Sequence, residues 1–335
     1  MKIKELMKRK IRGTKMSDAV NVLSDNSSFI PPHPLNTAVL FLVFKRLDTT
    51  KQVFKAIRKA KPPRLYIASD GPRKNKKDEA AKVEAVREYI MSNIDWECEV
   101  KTLFREENLG CKMAVSGAID WFFENEEMGI ILEDDCLPSQ SFFWFCEELL
   151  IKYKDDLRIW HIAGSNFNFG WQRDKDYSYY FSYYGSIWGW ATWRSRWQHY
   201  DVEMKHYEEI KSKNYLWDVF GNKQVAQFII DNFDEIRNGL DAWGYQWAYT
   251  RYINSGLSIV PTVNMIKNLG FGNDATHTLS TNDKRANMKC LDISFPLKSP
   301  NFIIRDKVSD DKYVKEFIYN PRYSIKKIIK RILRK

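Results

Sequence analysis

The first half of the chain contains a series of short apolar runs that lack helical periodicity. Apolar runs of roughly four to eight residues are typical of buried β-strands. The polar and charged segments between them are longer and separate one run from the next. We therefore predict strands at 37–44, 64–68, 98–103, 128–132 and 158–163.

The segments between these runs carry apolar residues at helical spacing, which predicts helices at 49–60, 77–92, 112–125 and 140–153. Strands that alternate with helices at this spacing indicate βαβ units. Because such crossovers have a fixed hand, helices are expected on both faces of the sheet. The predicted fold class is therefore α/β, with a Rossmann-like, mainly parallel sheet.

The pattern loosens from about residue 177 and predicts a different kind of structure there. Tyr and Trp crowd residues 177–200, and Gly becomes frequent around 255–273. We predict a basic N-terminal segment and linker over 1–36, then a catalytic domain over 37–290. That domain divides into a nucleotide-binding half (37–165) and an acceptor half (166–290), followed by a C-terminal extension (291–335).

Three acidic residues, Glu133, Asp134 and Asp135, directly follow the apolar run 128–132. The carboxyl ends of parallel strands line the ligand crevice of an open sheet. Carboxylates placed there suit Mg²⁺ or Mn²⁺, which usually complete their coordination with substrate phosphates. The sequence thus favours an enzyme that acts on a nucleoside diphosphate or triphosphate. The alternative is a solvated acidic turn.

Two polar residues follow the first two predicted strands. Arg46 comes after the first strand and Asp70 after the second, so both are expected at the same crevice as the acidic triplet. Arg46 suits a phosphate or a base edge, and Asp70 can accept from a base or a ribose. An ordinary ion pair between loops explains the two residues equally well.

Two aromatic motifs lie in the second half. The segment 185–197 contains Trp188 and Trp190 with two glycines, which allow a ligand close to the backbone. Asp241 and Trp243 form a second motif, in which a partly desolvated carboxylate suits a general base. The alternatives are core packing for the tryptophans and an N-cap of a helix over 242–253 for Asp241.

The segment 267–278 has the composition of a flexible lid, with two glycines and several small polar residues. Lys267 is positioned to meet a phosphate. His277 is a weaker candidate ligand, because a lone histidine usually binds neither metal nor phosphate.

The composition of the 335-residue chain limits its class and location. It is 44% hydrophobic and 15% aromatic, enough for a sizeable core, and its net charge of +10 favours anionic partners. Five scattered cysteines without zinc spacing fit a reducing cytosol. No apolar run approaches the roughly 20 residues that span a bilayer.

Much of the positive charge is concentrated at the two ends of the chain. Residues 324–335 predict an amphipathic helix with an apolar stripe and a uniformly basic face. Such a helix suits an anionic membrane surface, and we expect a cytoplasmic protein peripheral to the inner face of the cell membrane. The alternative is a helix that docks on the same chain.

Taken together, these motifs resemble the GT-A-fold glycosyltransferases. The sequence is similar over roughly 37–280 to the inverting N-acetylglucosaminyltransferase I-like family and to related bacterial nucleotide-diphospho-sugar transferases. Three features carry the resemblance in the same chain order. They are the Glu133-Asp134-Asp135 strand end with its following proline and helix, the Gly189-Trp190 step, and the Asp241-Ala242-Trp243 segment.

The resemblance implies a role for each candidate residue. Asp135 would bind Mn²⁺ or Mg²⁺, and Asp241 would be the catalytic base. Trp188 and Trp243 would contact the acceptor. Ala242 stands where the family usually has a second acidic residue, which is a departure from the pattern. The remaining candidates would bind the donor or its nucleotide: Arg46, Asp70, Glu133, Asp134, Trp190 and Lys267.

The expected function is metal-dependent, inverting transfer of a sugar from a nucleotide-diphosphate donor, expected to be UDP-linked. The acceptor would be a saccharide or a lipid-linked saccharide, in assembly of a bacterial surface polysaccharide or lipopolysaccharide. A nucleotidyltransferase of sugar phosphates is the nearest rival, but it should carry a Gly-rich loop where this chain reads Phe44-Lys45-Arg46-Leu47-Asp48. A non-enzymatic basic membrane-binding protein is a further alternative, and nucleic acid is not expected as a partner.

Overall fold

Strands and helices alternate through the first part of the chain, as its hydrophobic pattern predicts. The computed structural model describes residues 29–271 and 283–318. Every strand and helix predicted between 37 and 163 is present, with each boundary shifted by at most two residues. These elements are β1 (Val39–Val43), α1 (Leu47–Ala60), β2 (Arg64–Ser69), α2 (Glu79–Ser92), β3 (Glu99–Phe104), α3 (Gly110–Asn125), β4 (Met128–Glu133), β5 (Cys136–Pro138), α4 (Ser141–Lys152) and β6 (Ile159–Ala163).

The second half contains more helix than its sequence pattern indicated. The helix predicted over 242–253 is present but begins at Gly244, and a 3₁₀ helix spans Lys284–Asn287. The other elements are β7 (Tyr179–Ser182), β8 (Trp190–Trp193), α5 (Arg194–Trp197), α6 (Tyr207–Ser212), α7 (Tyr215–Phe220), α8 (Lys223–Arg237), α9 (Gly244–Ile253), β9 (Leu257–Pro261), β10 (Ile266–Asn268) and α10 (Lys307–Phe317).

Eight of these strands form one mixed sheet flanked by helices, in the order β3-β2-β1-β4-β8-β6-β9-β7. The four strands at one side, β3, β2, β1 and β4, are mutually parallel. Strand β8 is antiparallel to both β4 and β6, and β9 is parallel to β6. The α/β class and the Rossmann-like arrangement predicted from the sequence are confirmed.

Local sequence explains why these segments form these elements. All five residues of β1 are apolar and buried, as expected of a strand covered on both faces. Helix α1 buries one stripe that includes Val53, Phe54 and Ile57, and exposes lysines on the other side. It ends at Lys61, whose positive φ of 51° closes the last turn.

A cluster of tryptophans packs the second half against the first four strands. Trp190 of β8 stacks on Trp243, with ring centroids 5.7 Å apart, and also contacts Trp247. The same buried cluster contains Leu40 of β1 and Tyr66 of β2. Truncating a buried residue of this size to alanine typically costs about 3–5 kcal/mol. The tryptophans therefore fix the position of the Asp241 segment relative to the parallel strands.

Two predictions concern segments that lie outside the described residues. The basic helix over 324–335 is one, and most of the 267–278 lid, including His277, is the other. Within 29–271 and 283–318, none of the helices combines the length and the apolar character needed to cross a bilayer.

Candidate active site

The acidic triplet lies where the sequence placed it, at the carboxyl end of a buried parallel strand. Glu133 is the last residue of β4, and Asp134 and Asp135 form the turn that leads into β5. Arg46, from the connection between β1 and α1, pairs with both aspartates, and its Nη2 lies 2.9 Å from Asp135 Oδ2. The backbone N–H of Phe44 also donates to Asp134. The end of β1 therefore holds the end of β4 by charge and by hydrogen bonds.

The three carboxylates are crowded, and the crowding changes their acidity. Burial, and then the charges of Asp135 and Asp134, raise the pKa of Glu133. Burial also raises the pKa of Asp134, although the Arg46 guanidinium opposes that shift. Arg46 itself has a raised pKa, because its two aspartate partners outweigh its burial. Closely spaced carboxylates that resist joint ionisation favour binding of a cation.

Asp70 directly follows β2, and its carboxylate accepts hydrogen bonds from residues just before α3 and from its own loop. Its carboxylate accepts from the N–H of Leu109 at 3.0 Å, from the N–H of Gly71 at 3.0 Å, and from Asn108 Nδ2 at 2.9 Å. Burial raises the pKa of Asp70, and these hydrogen bonds and Arg105 partly offset the effect. Asp70 thus orders the loop ahead of α3.

Asp241 reaches the same helix terminus from the second half of the chain. Its Oδ2 accepts from the N–H of Cys111 at 2.8 Å, and its Oδ1 accepts from the N–H of Lys112 at 2.7 Å. Asp241 is therefore a capping residue, but of α3; its own segment continues to α9, whose N-cap is Trp243. Asp241 is exposed, so the expectation of a partly desolvated carboxylate in an aromatic environment is wrong, and the carboxylate is accessible to solvent.

Gly110 makes this capping arrangement sterically feasible. It has a positive φ of 79°, and a Cβ at this position would lie 2.8 Å from Asp241 Oδ2. A larger residue would meet both a strained backbone conformation and the carboxylate.

Cys111 lies in the first turn of α3, where its backbone N–H donates to Asp241 at 2.8 Å. Burial, and then the charges of Glu133, Asp241, Asp70 and Asp135 in that order, raise the pKa of its thiol to about 12. Sequence reasoning overlooked Cys111, because a single cysteine among five scattered ones carries no spacing signal.

The predicted aromatic site residues fall into two groups. Trp188 is partly exposed, and its ring packs edge-on against Phe271 at 5.7 Å. Trp190 and Trp243 are buried, at 0% and 2% exposure, so neither presents a ring face to a ligand in this conformation. Donor contact by Trp190 and acceptor contact by Trp243 remain predictions that require neighbouring groups to move.

Lys267 lies on β10, which pairs antiparallel with β5 directly after the acidic triplet. It is exposed, and it is opposite Leu137 in the register. The N–H of Leu269 donates to the carbonyl of Asp135 at 2.7 Å. A Cβ on Gly270 would lie only 2.2 Å from Asp135 Oδ2. The first residues of the predicted lid are thus fixed against the acidic triplet, a contact that sequence spacing did not reveal.

A second charged network joins the β1–α1 connection to the loop before α2. Glu79, at the start of α2, accepts from Lys45 Nζ at 2.7 Å and from Arg73 Nε at 2.9 Å. Glu79 is buried, and Lys45 precedes Arg46 in the β1–α1 connection. No spacing in the sequence indicates this network, because its members are 28 or more residues apart except for Arg73 and Glu79.

The acidic triplet can be tested for its fit to a divalent cation. The described residues contain no group of three or more His, Cys, Asp or Glu side chains arranged around one point as metal ligands. Asp135 offers one carboxylate, with Oδ2 shared with Arg46. One carboxylate fits Mg²⁺ or Mn²⁺ that takes its other ligands from water and substrate phosphates. It does not fit an ion held entirely by protein.

Comparisons with known proteins show no family. No protein-family profile matches the chain, and no curated protein matches it. Among solved structures, HddC from Yersinia pseudotuberculosis is similar with 10% identity and a TM-score of 0.30, over 49% of this chain and 80% of that chain. A UDP-glucose pyrophosphorylase complexed with UDP-glucose has 9% identity and a TM-score of 0.29, over 49% and 79%. Structural similarity at these TM-scores and identities supports no conclusion about function.

Proposed function

We propose that this protein is a glycosyltransferase of the GT-A type, which transfers a sugar from a nucleotide-diphosphate donor to a saccharide acceptor with inversion of configuration. The donor is a UDP-sugar, and the metal is Mn²⁺ or Mg²⁺. One observation carries the proposal. At the carboxyl ends of the parallel strands, Arg46 pairs with Asp134 and Asp135, while Asp70 from the end of β2 and Asp241 from the second half both accept backbone N–H groups at the start of α3.

This position supports binding of a nucleotide diphosphate. In open parallel sheets, ligands bind outside the carboxyl ends of the strands. Asp70 and Arg46 come from the ends of β2 and β1 and would contact the nucleotide. Glu133 and Asp134, which directly precede the proposed metal ligand Asp135, would contact the ribose and the nucleotide. Lys267 is close to the triplet in the paired strand β10 and would contact the diphosphate.

The reaction is a single displacement. Asp241 accepts the proton of the acceptor hydroxyl as that oxygen forms a bond to the anomeric carbon. The bond from this carbon to the diphosphate oxygen breaks, and the diphosphate leaves with the electron pair. The N–H groups of Cys111 and Lys112 hold Asp241 in place throughout the displacement.

A metal bound by Asp135 would neutralise negative charge that develops on the leaving diphosphate. The chain supplies the rest of the local electrostatics. Arg46 keeps Asp134 and Asp135 together despite their like charges. Gly270 packs against Asp135, so a lid formed by the residues that follow it in sequence would exclude water from the donor and limit its hydrolysis.

The β1–α1 connection favours sugar transfer over nucleotidyl transfer. Only three residues, 44–46, separate β1 from α1, and none of them is glycine. A nucleotidyltransferase is expected to carry a Gly-rich phosphate loop at this position. Its reaction would also leave Asp241, on the acceptor side, without a chemical role.

The setting we propose is assembly of a bacterial surface polysaccharide or lipopolysaccharide at the cytoplasmic face of the membrane. It rests on the basic sequence of 322–335, which would hold the enzyme near a lipid-linked acceptor. A chain truncated after residue 320 should keep activity on a soluble acceptor and lose most of it on vesicles that contain anionic lipid. Equal loss on both acceptors, or on neither, would contradict a membrane role.

The first experiment is a thermal-shift screen of nucleotides and nucleotide sugars with and without Mn²⁺. A ligand that binds only the folded state raises the melting temperature according to its affinity and concentration. We expect a metal-dependent rise with UDP and with at least one UDP-sugar. The anomeric configuration of the product, followed by NMR, then tests inversion.

Asp135→Asn should abolish the metal-dependent part of the shift and reduce transfer by about 3 kcal/mol of transition-state stabilisation. Asp95→Asn, an exposed aspartate in a surface ion pair, is the matched control and should behave as wild type. Pyrophosphate release from UTP and a sugar 1-phosphate would assign the nucleotidyltransferase activity instead. No shift with any nucleotide would overturn the proposal.

A further inference from the structure

A row of aromatic side chains leads away from the acidic triplet across the second half of the protein. Consecutive ring centroids along the row are 5.7, 5.2, 5.5, 4.8 and 4.6 Å apart. All its members except the last are partly exposed. The aromatic row consists, in order, of Phe271, Trp188, Phe167, Phe317, Tyr313 and Tyr184.

The row begins at the candidate transfer site. Phe271 follows Gly270, whose Cα lies so close to Asp135 that a Cβ there would be 2.2 Å from the carboxylate. A molecule resting on Phe271 and Trp188 is therefore adjacent to the predicted metal position. From Phe271 the row continues through Trp188 and Phe167 into the second half of the protein, which also carries Asp241.

The row ends at a cavity of about 270 Å³. Tyr184 and Phe220 form its apolar wall, with their rings stacked 6.0 Å apart. Arg305 and Lys307 supply polar groups on its other walls. A smaller cavity lies beneath the row, bounded in part by Phe167, Tyr184 and Tyr313. There is thus space at the end of the row, where apolar faces and hydrogen-bonding groups occur together.

The charges along the row are balanced. Arg285 lies 5.9 Å from the Trp188 ring centroid and is paired with Asp283. At the cavity, Arg305 is paired with buried Asp310, and Lys307 with Asp311. Within the part of the chain that the structure describes, these three cations are each paired with a carboxylate, so they do not form an unpaired basic patch that would select a polyanion. The polar cavity also does not suit a hydrocarbon chain.

We propose that the aromatic row binds a neutral oligosaccharide, which is the acceptor end of a growing glycan chain. The proposal rests on the proposed function and specifies its acceptor class. Aromatic rings pack on the apolar C–H faces of sugar rings, while side-chain polar groups bind the hydroxyls. The terminal sugar lies beside Asp135 and Asp241, and the preceding sugars follow the row towards the cavity at Tyr184.

The test measures binding in the absence of donor. Full-length protein is titrated, by fluorescence anisotropy, against labelled oligosaccharides of one to six residues of glucose, galactose and N-acetylglucosamine. We expect affinity for at least one series to rise with chain length. Phe317→Leu, which keeps apolar volume and removes a ring, should weaken binding of the longer members by about tenfold and leave the monosaccharide unchanged.

Tyr89→Leu is the control, because Tyr89 is a half-buried ring in the last turn of α2, next to Phe54 and outside the row. It should bind like wild type. Any one of four results would overturn the inference. They are an affinity that does not depend on chain length, equal binding by Phe317→Leu and wild type, tighter binding of oligogalacturonates than of neutral chains, and no binding of any series.

The nucleotide thermal shift is a separate readout. If UDP binds and no saccharide does, only the acceptor assignment fails; if saccharides bind and UDP does not, the proposed transferase activity fails instead.

Discussion

Asp241 and Cys111 are 130 residues apart in sequence, and the Oδ2 atom of Asp241 accepts the backbone N–H of Cys111 at 2.8 Å. Together with the hydrogen bond from the Lys112 N–H, this bond attaches the segment before α9 to the first turn of α3. A carboxylate is favoured at that position by the helix dipole and by the unpaired N–H groups. Asp241 therefore has a structural role whether or not it is the catalytic base.

Replacing Asp241 with Asn separates these two roles. Asparagine keeps one acceptor oxygen for α3, so the free energy of unfolding should fall by about 1 kcal/mol or less. Loss of a general base should lower kcat by roughly 10²- to 10⁴-fold. Urea denaturation and steady-state kinetics on the same preparation measure both quantities.

The control for Asp241→Asn is Asp306→Asn, because Asp306 caps α10 by accepting from the N–H of Ser309 at 3.1 Å. This variant should show a comparable loss of stability with unchanged kcat. If Asp241→Asn retained wild-type kcat, capping would be the whole role of the residue.

The sequence was informative wherever one physical signal dominated. Fully apolar strands such as β1 can be found because burial on both faces removes polar residues. Because Glu133 directly follows an apolar run, its position at the carboxyl end of a buried parallel strand could be predicted. Capping of α3 by Asp241 could not be predicted, because it depends on how the tryptophan cluster docks the second half on the sheet. The helical segment 207–237 was also missed, since its short helices α6 and α7 give too few turns to establish a period.

Arg46 should be needed for stability as well as for donor binding. It pairs with Asp134, which is buried, and with Asp135. Arg46→Met leaves two adjacent carboxylates without their cation, and removal of one partner from a buried ion pair costs about 3 kcal/mol. We expect that loss in urea denaturation at pH 7.

Metal provides a second readout for the same Arg46→Met variant. Mn²⁺ should restore part of the lost stability, because the cation replaces charge that Arg46 supplied. Arg58→Met is the matched control: Arg58 pairs with Asp95 on the surface, where both partners are exposed, and little change is expected. An Arg46→Met protein as stable as Arg58→Met would show that Arg46 does not hold the triplet together.

Glu79 provides a pH dependence whose sign is fixed by its partners. Hydrogen bonds from Arg73 and Lys45 hold the pKa of Glu79 well below its usual range, although burial opposes the shift. Because the folded-state pKa is the lower one, the stabilisation is present above the unfolded pKa of about 4.3 and is lost as pH falls towards the folded value. Glu79→Gln should cost about 2 kcal/mol at pH 7.

The difference in unfolding free energy between wild type and Glu79→Gln should therefore shrink as pH is lowered below about 5. Denaturant titrations at several pH values measure it. Glu84→Gln, on the exposed face of the same helix, should differ little from wild type at any of them. A Glu79→Gln difference that stayed constant down to acid pH would mean that the pKa of Glu79 is the same in the folded and the unfolded protein, so that Arg73 and Lys45 do not stabilise its ionised form.

Gly270 tests whether the segment after β10 positions Asp135, the proposed metal ligand. An alanine Cβ would lie 2.2 Å from Asp135 Oδ2 and 3.1 Å from Arg46 Nη1, so one of these groups must move. Gly270→Ala should therefore weaken the Mn²⁺-dependent nucleotide shift and lower transfer. A misplaced catalytic group commonly costs about 10²-fold in rate.

Gly117→Ala is the control. Its added Cβ, within α3, meets only the end of Arg105 at 3.2 Å, and alanine stabilises a helix by about 0.5–1 kcal/mol relative to glycine. A Gly270→Ala enzyme with wild-type metal response would show that Asp135 tolerates displacement, and that its present geometry is not the one that binds the metal.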